Sequence, residues 1–186
     1  MDATQEAALR NEIARLRREN RALSIALAEM ERVAERDMLT PLFNRRYFLS
    51  SLHQRIAKVE RFGDRMALIY VDVDGLKAIN DEHGHAAGDF ALITIASRLA
   101  EAMRRSDTLA RIGGDEFGIL LEAVSQSEAR TKIRRMAASI ADEPCVYDGK
   151  QVRLSAAFGL TMITPGRSAE ELMGSADAEM YRAKRG

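Results

Sequence analysis

Four acidic residues set the first question. Asp72 and Asp74 close an apolar run, MALIYVDV, and alternate in sequence, so a strand there carries both carboxylates on one face. Taking two carboxylates out of water is costly unless a cation or strong donors meet them. A hard divalent ion with oxygen ligands is the natural answer. Asp115 and Glu116 follow Gly113 and Gly114 between two short apolar runs, which reads as a hairpin tip. Glycines there permit positive φ and let the backbone approach a ligand closely. With this hairpin beside the Asp72 strand, acids from adjacent strand ends would form a site for Mg²⁺ and a triphosphate, as in polymerase-like chemistry. The plain alternative is a set of turn and strand-end acids, since Asp and Gly are common in turns. The local residues leave both open.

Between the two acidic pairs, residues 76–89 are polar and punctuated by glycine. Asn80 and Asp89 have the donors and acceptors to read a purine edge, and Lys77 could neutralise phosphate. Helix capping by Asn80 and Asp89, with a solvated Lys77, is the reading these residues favour by themselves.

The elements that must position these residues follow from periodicity and punctuation. A helix is expected over residues 40–61, with Thr40 as N-cap and Pro41 in its first turn. Met66–Val73 is apolar on both faces and reads as a central, doubly covered strand. A short helix starts at Leu76. A longer one is expected over residues 88–104, with Phe90, Leu92, Ile93, Ile95, Leu99 and Met103 inward. Residues 108–112 and 117–121 form the hairpin around the glycine pair, and residues 127–141 form an amphipathic helix. Residues 145–147 and 152–162 read as strands joined at Asp148-Gly149, a hairpin turn. The last helix begins near Ser168, whose spacing to Glu171 is a capping box. This order argues for an α/β (α+β) fold with a central mixed sheet flanked by helices.

Residues 1–36 differ. They lack Gly and Pro and place Leu9, Leu16, Leu23 and Met30 at d and Ile13, Asn20, Leu27 and Ala34 at a of a heptad. The spacing holds at 3.5 residues rather than drifting to 3.6. Asn20 at an a position suits a parallel two-stranded coil, where it pairs with its mate and sets register. Glu12 at g and Arg17 at the next e fit an interchain pair. The expected organisation is a dimerising coiled coil over residues 1–36 and a globular domain over residues 37–186.

Composition bounds the rest. With 186 residues, 46% apolar and 30% charged, the chain suits one ordinary globular domain plus an extension. Its formal net charge is zero, so nothing global suggests nucleic acid or an anionic membrane. No run approaches the roughly 18 apolar residues of a membrane span. The polar N-terminus and the single Cys145 fit a cytoplasmic location.

Five segments, in order, carry a family resemblance. They are Asp37-Met-Leu-Thr40 with Leu42-Phe-Asn44-Arg45, Asp72-Val-Asp-Gly-Leu-Lys77 with Ile79-Asn80-Asp81, Gly84-His85-Ala-Ala-Gly88-Asp89, Arg111-Ile-Gly-Gly-Asp-Glu-Phe117, and Ala176-Asp177 with Met180-Tyr181-Arg-Ala-Lys184. Together they resemble a GGDEF domain, the catalytic domain of diguanylate cyclases, over residues 37–186. Pro41 stands where the family usually has Gly, and Leu76 where it usually has Phe.

The resemblance implies a fold related to the polymerase palm and the nucleotidyl cyclases. It implies a homodimer that condenses two GTP into cyclic di-GMP, with Mg²⁺ as cofactor and Mn²⁺ as a substitute. Asp72, the Val73 carbonyl and Asp115 would hold the metal. Asp115 would also act as base, Glu116 would support the metal site and Lys77 would meet phosphate. Asn80 and Asp89 would bind guanine, while Leu76, His85, Gly113, Gly114 and Lys184 would complete the substrate site. Arg104 and Asp107 sit where the family's inhibitory product site lies. The alternative is a catalytically silent GGDEF domain acting as a cyclic di-GMP receptor. Such domains usually lose acidic signature residues, and this chain keeps Asp72, Asp115 and Glu116.

Overall fold

The computed structural model describes residues 3–142 and 144–185, with side chains described for all of these except 3–10, 27–29 and 31–33. The chain divides into two units, Met1–Glu35 and Arg36–Gly186.

The first unit is one helix, α1 (Ala3–Ala34), of 32 residues. Its run of good helix formers without Gly or Pro sustains that length. Of the heptad positions, Leu9 and Leu27 lie outside the described side chains. Ile13 is 40% exposed, Leu16 50%, Leu23 70% and Met30 70%. Glu12 pairs at 2.7 Å with Arg15 of its own helix. Such an exposed pair contributes little to stability.

The second unit holds a five-stranded mixed sheet. Its elements are β1 (Phe43–Asn44), α2 (Arg45–Phe62), β2 (Met66–Val73), α3 (Leu76–His83), α4 (His85–Glu101), β3 (Thr108–Arg111), β4 (Glu116–Glu122), α5 (Gln126–Asp142), β5 (Val146–Tyr147), β6 (Lys150–Gln151), β7 (Ala156–Ile163) and α6 (Ala169–Arg185). The strand order is β1-β3-β4-β2-β7, with β1 parallel to β3 and the other pairings antiparallel. This is the mixed sheet expected from sequence.

β2 is central, and its alternation sorts the core into two. Ala67, Ile69, Val71 and Val73 pack with Ala91, Ile95 and Leu99 of α4 and Met136 and Ile140 of α5. Met66, Leu68 and Tyr70 pack with Phe48 and Leu52 of α2 and Leu172, Ala176 and Met180 of α6. The period of two therefore fixes which helix pair each side chain meets.

Four expected boundaries move. Helix α2 starts at Arg45 with Asn44, not Thr40, as N-cap; the Asn44 side chain accepts from the Tyr47 amide. Thr40 is instead taken by Asp37, whose Oδ1 accepts from the Leu39 and Thr40 amides and the Thr40 hydroxyl. A local Asp turn thus outcompetes the helix start. Helix α4 runs earlier than expected, and Phe90 and Ile93 are 36% and 38% exposed rather than inward. Its buried stripe combines the small residues Ala87, Gly88, Ala91 and Ala96 with Leu92, Ile95 and Leu99, while the Phe90 ring lies against Tyr147. Met103 lies beyond its end. The expected strand over residues 152–162 is broken. β5 and β6 form a separate ribbon whose turn residues Asp148 and Gly149 both have positive φ, as a tight two-residue turn requires. Val152 and Leu154 are buried in the core between that ribbon and β7. The expected capping box at α6 forms, with reciprocal Ser168 and Glu171 bonds of 2.8 and 3.2 Å.

Among the described residues, no helix is long and apolar enough to cross a membrane. Helix α6 lies so close to β7 that a Cβ at Gly159 would overlap the Ala176 carbonyl and the Met180 amide, both backbone. Gly159→Ala is therefore expected to cost about 3 kcal/mol or more, because backbone cannot step aside as a side chain can. Urea denaturation checks this, and a loss under about 0.5 kcal/mol, the level of an ordinary surface substitution, would refute the close approach.

Candidate active site

The register of β2 against β4 places Asp72 opposite Glu116. The Val73 amide donates to the Asp115 carbonyl at 2.9 Å, so the hairpin tip is bonded to the end of β2. Asp72 shares the even-numbered face of β2 with Tyr70, while Asp74 lies past the strand end, in the turn before α3, rather than on the strand face expected from sequence. Burial pushes the Tyr70 hydroxyl well above its ordinary range, and the Glu116 carboxylate adds to that. Asp74 is fixed by Ser155, whose hydroxyl donates to Oδ2 at 2.9 Å. Val73 is buried in the core, and its alkyl side chain carries no ligand atom, so any part it has in a metal site falls to its backbone carbonyl.

Lys184, at the end of α6, brings an ammonium to this carboxylate group. It ion-pairs with Asp72 and lies 3.7 Å from Asp74. Its pKa is raised, first by the Asp72 carboxylate and further by Asp74 and Asp115. The family resemblance implied a place in the substrate site for this lysine; here it meets the acids themselves. Among the described residues no three acidic, histidine or cysteine side chains converge as a ready metal cage. The donors present are nevertheless hard oxygens held around one cation, which fits Mg²⁺ rather than a softer metal.

Seven of the predicted residues line one open cleft of about 530 Å³: Leu76, Lys77, Asn80, His85, Asp89, Gly114 and Asp115. The capping explanations for Asn80 and Asp89 fail. Asn80 lies in the last turn of α3 and Asp89 inside α4, while Gly75 and Gly84 occupy the N-cap positions. Asn80 Oδ1 is buried without a hydrogen-bond partner among the described residues. A buried acceptor in that state costs free energy unless a ligand or water supplies a donor. Gly88 makes room for it, since a Cβ there would strike the Asn80 amide. Asp72, Glu116, Gly113 and Lys184 lie outside the cleft lining. Gly113 and Gly114 do not have the positive φ expected of them. The need at Gly113 is space, because a Cβ would meet the Glu116 carboxylate.

Sequence reasoning gave no role to the arginines that hold the hairpin tip. Arg111 donates from Nε and Nη2 to the Gly114 carbonyl at 3.2 and 2.7 Å and reaches Asp37 at 3.3 Å. Arg45 donates to the Ile112 carbonyl at 3.2 Å. Both stood inside recognised motifs, but only the fold reveals their partners. Burial alone would raise the Asp37 carboxyl. The Thr40 hydroxyl and amide and the Arg111 guanidinium outweigh it and hold the group below its ordinary range.

Arg104 and Asp107 come together elsewhere, in a second cavity of about 480 Å³ that Lys132 and Arg135 of α5 also line. They form a tight turn. The Arg104 amide donates to Asp107 Oδ2 at 2.9 Å, and the Asp107 amide donates to the Arg104 carbonyl at 3.0 Å. Lys132 and Arg135 were not singled out in sequence, where they look like one solvated helix face.

The family model described as "Diguanylate cyclase, GGDEF domain" matches residues 34–186. The chain is similar to the bifunctional diguanylate cyclase/cyclic di-GMP phosphodiesterase MucR of Pseudomonas aeruginosa, at 39% identity over 164 residues, covering 88% of this chain and 24% of MucR. Similarity to the diguanylate cyclase DgcP of the same species is 34% over 178 residues, covering 96% of this chain and 26% of DgcP. The chain thus spans about a quarter of the length of these curated relatives. Among solved structures it resembles the coiled coil and GGDEF domain of DgcB from Caulobacter crescentus in complex with c-di-GMP. The TM-score is 0.85 at 27% identity, over 98% of this chain and 95% of that one. It also resembles the diguanylate cyclase SiaD in complex with its activator SiaC from Pseudomonas aeruginosa, with a TM-score of 0.80 at 29% identity, covering 98% and 71%.

The Asp37–Arg111 contact has a pH signature. A depressed carboxyl contributes stability that is full above its ordinary value near about 4 and is lost as pH falls through the folded value. Asp37→Asn is therefore expected to separate from wild type most at neutral pH, with the gap closing below about pH 4. Denaturation midpoints followed against pH test this; a gap that persists undiminished into acid would contradict the assignment.

Proposed function

The chain belongs to the GGDEF family of diguanylate cyclases, and from that footing we propose that it condenses two GTP molecules into cyclic di-GMP, releasing two pyrophosphates. The observation that carries this reading is the cleft itself, where Asn80 with its orphaned carbonyl oxygen, Asp89, Lys77 and Asp115 converge. Asn80 and Asp89 bind the guanine edge, with Leu76 and His85 lining the base and sugar. Asn80 supplies an acceptor that lacks a donor, and Asp89 accepts from guanine N–H groups. Lys77 meets phosphate. Gly113 and Gly114 allow the tip to run beside the nucleotide.

Asp72, the Val73 carbonyl and Asp115 hold Mg²⁺, with Glu116 in support and Mn²⁺ as a substitute. When bound, the ion neutralises the triphosphate and stabilises the departing pyrophosphate. Lys184, paired with Asp72 and close to Asp74, adds positive charge beside the phosphates. Asp115 takes the proton from the 3′-hydroxyl. That oxygen then forms its bond to the other nucleotide's α-phosphorus, and the bond to the bridging oxygen of pyrophosphate breaks.

Each domain carries one half of the reaction, so two must face each other about a two-fold axis. We assign α1 to that task, as a parallel coiled coil joined along its exposed Ile13, Leu16, Leu23 and Met30, with Asn20 fixing register. The likeness to the coiled coil and GGDEF domain of DgcB supports it. Tethering raises the effective concentration of the half-sites to roughly the millimolar range. The cavity at Arg104 and Asp107 receives the product and slows the enzyme: the guanidinium suits a phosphate, and the carboxylate a guanine edge.

Incubation with GTP and Mg²⁺, with the product identified by mass, tests the reading. Asp115→Asn is expected to fold normally and lose at least about a hundredfold in turnover. A variant retaining a tenth of wild-type activity would remove Asp115 from both roles. A protein that binds cyclic di-GMP yet makes none would instead be a receptor.

Deleting residues 1–36 should give a mostly monomeric domain whose specific activity climbs with protein concentration. Full activity at nanomolar concentration would show α1 to be dispensable for pairing the half-sites.

A further inference from the structure

Asp107 lies at the floor of the second cavity with only 2% of its side chain exposed, and its Oδ2 accepts from Lys132 Nζ at 2.6 Å. The same oxygen takes the Arg104 amide. Oδ1 has no partner among the described residues. Lys132 belongs to α5, so the pair ties that helix to the turn that opens β3. From the other side, buried Arg55 of α2 donates to the Ser106 carbonyl at 3.1 Å and the Thr108 hydroxyl at 3.0 Å. The turn is thus clamped from α2, and Asp107 alone is set by a side chain within the cavity. Arg104 and Arg135 line the same cavity with Glu128, whose carboxyl is held below its ordinary range first by the Ser125 hydroxyl and amide and further by nearby arginines including Arg104.

We propose that Lys132 is a further residue of the product site. It holds the Asp107 carboxylate so that the free oxygen faces guanine N–H donors, and it adds positive charge for a phosphate. This rests on the reading of the cavity as the cyclic di-GMP site. Physical chemistry favours a ligand of that kind. The cavity offers one free carboxylate oxygen, whose companion oxygen is fixed by two donors, beside the guanidinium groups of Arg104 and Arg135. A molecule carrying both phosphates and an N–H edge satisfies both at once. A charged partner removed from a nearly buried carboxylate leaves that charge uncompensated and free to reorient.

The test is calorimetric binding of cyclic di-GMP to the full chain without Mg²⁺, alongside initial rates of GTP turnover before product accumulates. Lys132→Met is expected to weaken binding at least about tenfold, the scale of a hydrogen bond to a charged group. Its initial rate should stay within about twofold of wild type, within ordinary context scatter for a residue outside the cleft. Lys132→Arg should recover most of the affinity, which a purely structural role would not predict. Lys132→Gln keeps a donor for Asp107 and guards against loss of the fold; it too should bind more weakly than wild type. Wild-type affinity in either folded variant, with Arg104→Ala weakened, would overturn the role of Lys132 alone. Wild-type affinity in Arg104→Ala as well would mean that the cavity is not the product site.

Discussion

The antiparallel register of β2 against β4 puts Asp72 opposite Glu116, and a slip of one residue would turn one strand's acids to the other face of the sheet. That register is pinned by burial on both sides. Ala67, Ile69 and Val71 fill one core while Met66, Leu68 and Tyr70 fill the other, so neither set can trade places without exposing apolar surface. The acids stand at the one end of β2 where the sheet meets solvent. Hydrophobic burial therefore positions charges that would be unfavourable anywhere further along the strand.

From that end the protein spreads charge compensation over several elements. Lys184 comes from the last helix, Ser155 from the segment before β7, and Arg45 and Arg111 fasten the hairpin tip to α2 and to Asp37. Cations drawn from both ends of the domain mean that the tip is rigid only when the whole domain is folded. The cleft is different. Asn80 keeps an unpaired buried oxygen, a local cost that makes sense as a place kept for a ligand.

The cavity at Arg104 and Asp107 shares no lining residue with that cleft. β3 leads from the Arg104–Asp107 turn directly to Arg111, whose side chain grips the tip. A ligand that favoured one arrangement of the two domains could then influence the reaction without touching the substrate, provided that it prefers that arrangement. In α1 the apolar side chains of Ile13, Leu16, Leu23 and Met30 are exposed.

Much of this was legible in the amino-acid sequence. The doubly apolar run at β2, the glycine pair between two short strands and the capping box at Ser168 are local signals, set by burial and backbone chemistry within a few residues. The family motifs likewise named Asn80, Asp89, Asp72 and Asp115 before any fold was known. The misplacements occurred where local chemistry offered two answers. Thr40 is as good a cap as Asn44 until Asp37 claims its hydroxyl. Phe90 looks like core until the fold sets its ring against Tyr147 of the separate ribbon. Val152 and Leu154 alternate like a strand yet fill the core between two separate sheets. Sequence determined which residues carry charge and which strands are buried, because composition and period are intrinsic to each segment. Only the tertiary structure decided which charges meet. Lys184 lies 112 residues from Asp72, and Arg111 lies 74 from Asp37. No local rule spans such separations; the packing of α6 and the Asp37 turn against the sheet does.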